Sequence, residues 1–240
     1  MKNERRFYDA KFYRELEATR DSAREVLPLV FELIQPASIV DIGCGEGHWL
    51  AAATELGARD VLGIDGEWVL KTKLEIPRDR FLAHDLTAPL KLDRKFDLAL
   101  SLEVAEHLPE SQARRFVETL CQAADKILFS AAIPGQGGRH HVNEQWPEYW
   151  AKLFAEFGFD CCDLLRPRIW NNPRVLWYYA QNCVIYARRG SLAQNAITAS
   201  PLPLVHPELW SKQLARLNSP GKLLEHLPKA VLYRIRGKSR

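Results

Sequence analysis

Asp41-Ile-Gly-Cys-Gly-Glu-Gly47 follows the β-branched run Ile39-Val40 and leads into a helical pattern. This is a strand handing over to a helix through a turn with glycine at every second position. Such a turn leaves peptide groups bare, so a ligand can lie against the backbone and the helix N-terminus. The spacing argues against a dinucleotide. The G-x-G-x-x-G fingerprint would place its third glycine where His48 stands, whereas here it is Gly47, giving G-x-G-x-G. Asp41, two residues before the first glycine, suits a positively charged ligand group better than a pyrophosphate.

Three further places continue the pattern along the chain. Val61-Leu-Gly-Ile-Asp65 is a strand ending in an acid, followed by Gly66, about twenty residues after the turn, the distance at which an acid meets a ribose. Ala83-His84-Asp85-Leu86 is another strand-end acid. Phe96-Asp-Leu-Ala-Leu-Ser-Leu-Glu103-Val-Ala-Glu106-His107-Leu is a buried strand running into a polar turn. With Asp41–Gly47, these four ordered places resemble the class I S-adenosylmethionine (SAM)-dependent methyltransferases over roughly residues 7 to 190. The resemblance implies a Rossmann-like, doubly wound α/β fold. Its seven strands would lie in the order 3-2-1-4-5-7-6, mostly parallel with the last antiparallel.

The resemblance also implies roles. Peptide groups of Gly43, Cys44 and Gly45 would approach the amino-acid part of SAM, and Asp41 would orient its ammonium. Asp65, with Gly66 beside it, would accept from both ribose hydroxyls, a task that needs a carboxylate. Asp85 would accept from the adenine amino group, with Leu86 beside the ring. Glu103 would lie under the sulfur end, and Tyr8 or Tyr13 of an N-terminal lid helix would close over the cofactor. For catalysis, a base must take the proton of a hydroxyl as its oxygen attacks the methyl group in line with sulfur, and histidine suits this near neutral pH. The candidates are His107, in the turn after strand four, and the adjacent His140 and His141, in a glycine-rich loop after strand five. His140, His141 and Glu144 match no specific metal-site spacing, so no metal is expected.

The segments Ser130-Ala-Ala-Ile-Pro-Gly-Gln-Gly-Gly138, His141-Val-Asn-Glu-Gln-Trp146-Pro-Glu-Tyr-Trp150, Leu165-Arg-Pro-Arg-Ile-Trp170 and Trp177-Tyr-Tyr-Ala-Gln-Asn182 look like a bacterial group of small methyltransferases. Its members often accompany glycan or natural-product genes. That makes a saccharide or other hydroxylated small molecule the leading acceptor. The aromatic residues of these segments suit a glycan cleft, and they equally suit core packing.

Two other functions are weighed. A nucleic-acid methyltransferase is opposed by Ser-Leu-Glu-Val at the end of strand four, where Asn/Asp-Pro-Pro-Tyr would hold a planar amine. No Pro-Cys pair offers a nucleophile to a pyrimidine, and the net charge of +3 is too small to imply nucleic acid. A scaffold protein that had lost the chemistry would have no physical need for Asp41, the glycines, Asp65 and Asp85.

The bulk properties fit this frame. The 240 residues, 47% hydrophobic and 26% charged, can bury a full core. No apolar run of about eighteen residues suggests a transmembrane helix. Five irregularly spaced cysteines form no disulfide or zinc pattern, which points to the cytoplasm. Expected strands are 38–42, 60–64, 80–83, 96–102, 126–131, 159–165 and 181–188. Expected helices are 8–35, kinked or split at Pro28, then 47–57, 67–75, 109–124 and one from Trp146 to Phe157. Residues 1–190 would form the methyltransferase domain and 191–240 a C-terminal arm. From Ser211 onward the arm carries eight Lys or Arg against one Glu, which suggests contact with an anionic surface.

Overall fold

A computed structural model of the protein describes residues 10–193, 196–198 and 200–217, with side chains from residue 17 onward. Tyr8, the side chain of Tyr13 and the basic tip Arg234–Arg240 therefore lie outside the described residues. The chain divides into two compact units, Met1–Leu204 and Val205–Arg240.

The first unit is built on one seven-stranded sheet in the order β3-β2-β1-β4-β5-β7-β6. The strands are β1 (Ser38–Ile42), β2 (Asp60–Asp65), β3 (Phe81–Ala83), β4 (Leu98–Leu102), β5 (Lys126–Ser130), β6 (Phe159–Cys162) and β7 (Val184–Arg188). The first five pair in parallel. Strand β7 inserts antiparallel between β5 and β6. Fold class and strand order are those implied by the sequence.

Both sheet faces are covered, so the central strands are largely apolar; all five residues of β4 are buried. Alternation sorts their side chains. Ile39, Leu98, Leu100, Leu128 and Ile185 face a layer containing Val26, Leu27 and Val30 of α1 (Ala10–Ile34) and Leu50 of α2 (His48–Glu55). Val40, Ile42, Ala99, Ile127 and Phe129 face the other layer. There α3 (Glu110–Ala123) buries Ala113, Phe116, Val117 and Leu120 at helical spacing, and α4 (Pro147–Glu156) buries Trp150 and Phe154. Phe154 stacks on Tyr186 at 3.9 Å between ring centroids.

Several local expectations are corrected. Helix α1 runs unbroken through Pro28, because its packed face outweighs one lost hydrogen bond. The helix expected at 67–75 is only a 3-10 turn, Glu67–Lys71; one buried residue, Val69, cannot anchor more. The strand expected from 181 begins at Val184, because α6 (Trp177–Asn182) takes the preceding residues after the short α5 (Arg166–Ile169). Residues 191–204 belong to the first compact unit. Thr198 bridges to Cys161 of β6, and the Leu202 carbonyl accepts from buried Arg166 at 2.8 Å. The Arg166 guanidinium also pairs with Asp163 and reaches the Gln181 carbonyl. In the second unit, α7 (Pro207–Leu217) is amphipathic. Among the described residues no helix is long and apolar enough to cross a membrane.

Candidate functional site

Strand β1 delivers Asp41 and the glycine turn to the carboxyl edge of the sheet, where open α/β folds take ligands. The turn opens onto a cavity of about 160 Å³ lined by residues that include Asp41, Gly43, Cys44, Gly45, Trp49 and Tyr179. Its backbone explains the glycines. Gly43 has φ +94°, and a Cβ there would lie 2.3 Å from Val104 Cγ2. Gly45 has φ +51°, yet a Cβ there would meet nothing within 4 Å. Gly43 is thus demanded by packing, while Gly45 borders open space.

Four amides of this turn are engaged within the protein. Gly43 N and Cys44 N both donate to the Ile64 carbonyl, at 2.7 and 3.2 Å, and Gly47 N donates to the Cys44 carbonyl at 2.9 Å. Gly45 N donates to Asp65 Oδ2 at 2.8 Å. The N–H groups of Gly43, Cys44 and Gly45 are thus taken up within the protein. What faces the cavity instead is electron-rich, because Asp41 is 2% exposed and its Oδ1 has no hydrogen-bond partner. Burial, with Asp65 nearby, pushes the Asp41 carboxyl up to about 7. The lining is built to welcome a cationic group such as an ammonium, and it is poor for a phosphate.

Asp65 closes β2. Besides Gly45 N, it takes Gly66 N on Oδ1 at 2.6 Å. Its carboxyl ties the glycine turn to β2 and keeps lone pairs for a further donor. Burial raises its pKa, and the two amides and His107 oppose that. Asp85 is exposed; its Oδ1 accepts from Thr87 N and Oγ1, at 2.9 and 2.7 Å. Leu86 packs partly buried against the α3 layer.

Glu103 follows β4 in the left-handed region, φ +55°, a strained conformation for a non-glycine residue. The strain is held by its partners. Its N–H donates to the carbonyl and the Oγ of Ser130, both at 3.0 Å. Gln136 Nε2 donates to Oε2 at 2.7 Å, and Asn182 Nδ2 donates to Oε1 at 3.0 Å. Asn182 Nδ2 and Gln181 Nε2 also donate to Gln136 Oε1. Burial raises the Glu103 pKa.

One turn further on, Glu106 is fully buried, with neither carboxylate oxygen in a hydrogen bond of good geometry. Burial and then the Glu103 charge push its pKa well up. Its backbone carbonyl accepts from Val142 N and Asn143 N, at 2.9 and 3.0 Å. Those bonds pin the glycine-rich loop onto the β4 turn and bring His141 beside His107, edge to face with ring centroids 4.9 Å apart. Glu144 accepts from Gly135 N at 2.8 Å, from Gly137 N at 2.7 Å and from His141 Nδ1 at 2.9 Å. His107 Nδ1 lies 3.4 Å from the His140 carbonyl, and burial lowers its pKa. His140 has φ +62° and an exposed side chain. Of the three histidines expected to act, the structure joins His107 and His141, and His140 contributes its carbonyl.

Sequence reading missed Gln136, Gln181 and Glu106. The polar run Gln181-Asn182 ahead of an apolar strand was the available signal for part of the network. Glu106 had none, because burial of a carboxylate is invisible in a sequence.

A family model described as a methyltransferase domain matches residues 12–130. No curated protein matches the chain. Among solved structures, the chain is similar to magnesium protoporphyrin IX methyltransferase from Synechocystis PCC 6803, with S-adenosylhomocysteine bound. Identity is 20%, coverage is 77% of this chain and 92% of that one, and the TM-score is 0.52. It is also similar to the methyltransferase domain of a bacterial Hen1, at 18% identity, 70% and 97% coverage and TM-score 0.52. At such identities the likeness speaks for the fold.

Proposed function

We propose that this chain, which is a class I SAM-dependent methyltransferase, transfers the methyl group to a hydroxyl oxygen of a saccharide or similarly hydroxylated small molecule. One observation carries the choice of acceptor: the end of β4 gathers Glu103, Glu106, His107 and His141 into one electron-rich cluster. A hydroxyl gains from such a neighbourhood because its proton must leave as the oxygen attacks.

Asp41 and the carbonyl side of the glycine turn hold the amino-acid end of the cofactor. Asp65, beside Gly66, takes the ribose hydroxyls with the lone pairs left over from Gly45 N and Gly66 N. Asp85 and Leu86 bracket the adenine. Glu103, held by Gln136 and Asn182, fixes the backbone under the reacting centre. SAM supplies a sulfonium-activated methyl group, and the protein aligns an oxygen with it and disposes of the proton. Glu144 accepts the Nδ1 hydrogen of His141, which leaves Nε2 free to receive that proton. The five cysteines are buried and free, which supports a reducing compartment, the cytoplasm.

The test is methyl transfer from SAM carrying a labelled methyl group to a panel of mono- and oligosaccharides, with simple alcohols and amines alongside. Label in an ether linkage on a sugar is expected. Turnover confined to amines or nucleic acid would refute the reading.

A further inference from the structure

We propose that Glu106, His107 and His141 form a binding site for a divalent transition-metal cation. One carboxylate oxygen and one ring nitrogen from each histidine already lie within 4.8 Å of one another. Glu106 Oε1 and His141 Nε2 are 4.0 Å apart. A metal bonds such ligands at about 2.1 Å, so two of them can stand at most about 4.2 Å apart across it. The Glu106–His141 pair is within that span. His107 contributes the third ligand atom within the 4.8 Å span of the set.

The state of each ligand supports a cation rather than a hydrogen-bonded cluster. His141 Nδ1 faces the Glu144 carboxylate, which the amides of Gly135 and Gly137 hold in place. With its hydrogen directed there, Nε2 turns a lone pair toward Glu106. His107 Nδ1 points in the same way at the His140 carbonyl. Carboxylate and carbonyl partners behind a histidine are the supports that orient metal-bound imidazoles. Glu106 meanwhile is wholly buried, with neither oxygen in a hydrogen bond of good geometry. Its one ion-pair distance among the described residues is the 4.0 Å to His141. Two imidazole lone pairs and a carboxylate facing one another form an arrangement that a cation stabilises. A built structure serves it: the Glu106 carbonyl pins the loop, and Gly138 leaves room for the ring, since a Cβ there would lie 2.1 Å from His141 Nε2.

Two imidazoles with one carboxylate select Mn²⁺, Fe²⁺, Co²⁺ or Zn²⁺ over Mg²⁺ and Ca²⁺. The catalytic consequence rests on the acceptor reading above. A cation here would bind the attacking hydroxyl oxygen and acidify it, and the proton would pass to water instead of His141.

The experiment uses the full chain, stripped with a chelator and titrated separately with Mn²⁺, Co²⁺, Zn²⁺ and Mg²⁺ by calorimetry. Co²⁺ absorption reports imidazole ligation. Micromolar binding of at least one transition metal, one ion per chain, with Mg²⁺ bound at least roughly tenfold more weakly, is expected. Glu106→Gln and His141→Ala should each weaken it by roughly tenfold or more. Gly138→Ala should weaken it by displacing the ring. S-adenosylhomocysteine affinity, measured on the same samples, reports whether each variant is folded and tests the methyltransferase reading separately. Absence of transition-metal binding to the wild-type chain would overturn the proposal. So would binding that survives in folded Glu106→Gln and His141→Ala proteins.

Discussion

Replacing Asp41 by asparagine should make the cofactor-free protein more stable at alkaline pH and make it bind SAM worse. The Asp41 carboxyl rises from an ordinary 3.8 to about 7, chiefly through burial and then through Asp65. An acid with a raised folded-state pKa destabilises the fold where it must ionise. Between pH 4 and 7 the folded chain holds a proton that the unfolded chain has lost, so this group's contribution to stability falls as pH rises through that window. The full displacement corresponds to a ceiling of about 4 kcal/mol above pH 7, at 1.36 kcal/mol per pKa unit. Water entering the cavity lowers the realised value. The asparagine side chain cannot ionise, so the variant should gain on the order of 1–3 kcal/mol at pH 8 and little at pH 4. The ammonium of SAM would restore the charged form, so the variant should lose roughly tenfold or more in affinity. Below pH 7 wild-type binding should release protons, visible as heats that depend on buffer ionisation. Urea unfolding at pH 5 and pH 8, with and without S-adenosylhomocysteine, measures both effects. A variant that is less stable at pH 8 without ligand would show Asp41 to be a structural carboxylate and refute the reasoning.

Three other outcomes follow from particular contacts. Gly43→Ala should destabilise the fold strongly, since its Cβ would sit 2.3 Å from Val104. Gly45→Ala should cost roughly 1 kcal/mol of backbone strain in unfolding yet abolish S-adenosylhomocysteine binding in calorimetry; unchanged binding would mean the open space beside Gly45 is not the ligand's. Arg166→Met should cost about 3–5 kcal/mol in denaturant unfolding, because it strands the Asp163 carboxylate and the carbonyls of Gln181 and Leu202. Phe154→Ala should cost about 3–5 kcal/mol by opening the stack on Tyr186.

Much of this was legible in the sequence, for identifiable reasons. Strand-to-helix alternation and apolar runs located the strands, most clearly β4, β5 and β7, which are almost wholly buried; β3, at the sheet edge, has two exposed residues. The glycine turn was legible because φ values near +90° at Gly43 and Gly47 leave few other residues possible. Less legible was the direction in which its peptide groups point. Counting glycines suggests bare peptide groups, without revealing that the Ile64 carbonyl and Asp65 take the N–H groups of Gly43, Cys44 and Gly45. The β4 end was only half readable. Glu103 and His107 stood out by position, but Glu106 became notable only through total burial. Its pairing with His141 depends on a loop pinned by backbone bonds, which have no side-chain signature.

The insertion of β7 between β5 and β6 has a consequence for the order in which the chain can be completed. Until residues 184–188 arrive, β5 is an open edge carrying Ile127, Leu128 and Phe129, the kind of surface that recruits strands from other chains. A fragment cut at Ser130, where the matched family segment ends, would present that edge permanently and should aggregate. During synthesis the same edge is exposed for the more than fifty residues that separate β5 from β7. Its closure also brings in Asn182, so protection of the sheet and completion of the Glu103 network occur in one late step.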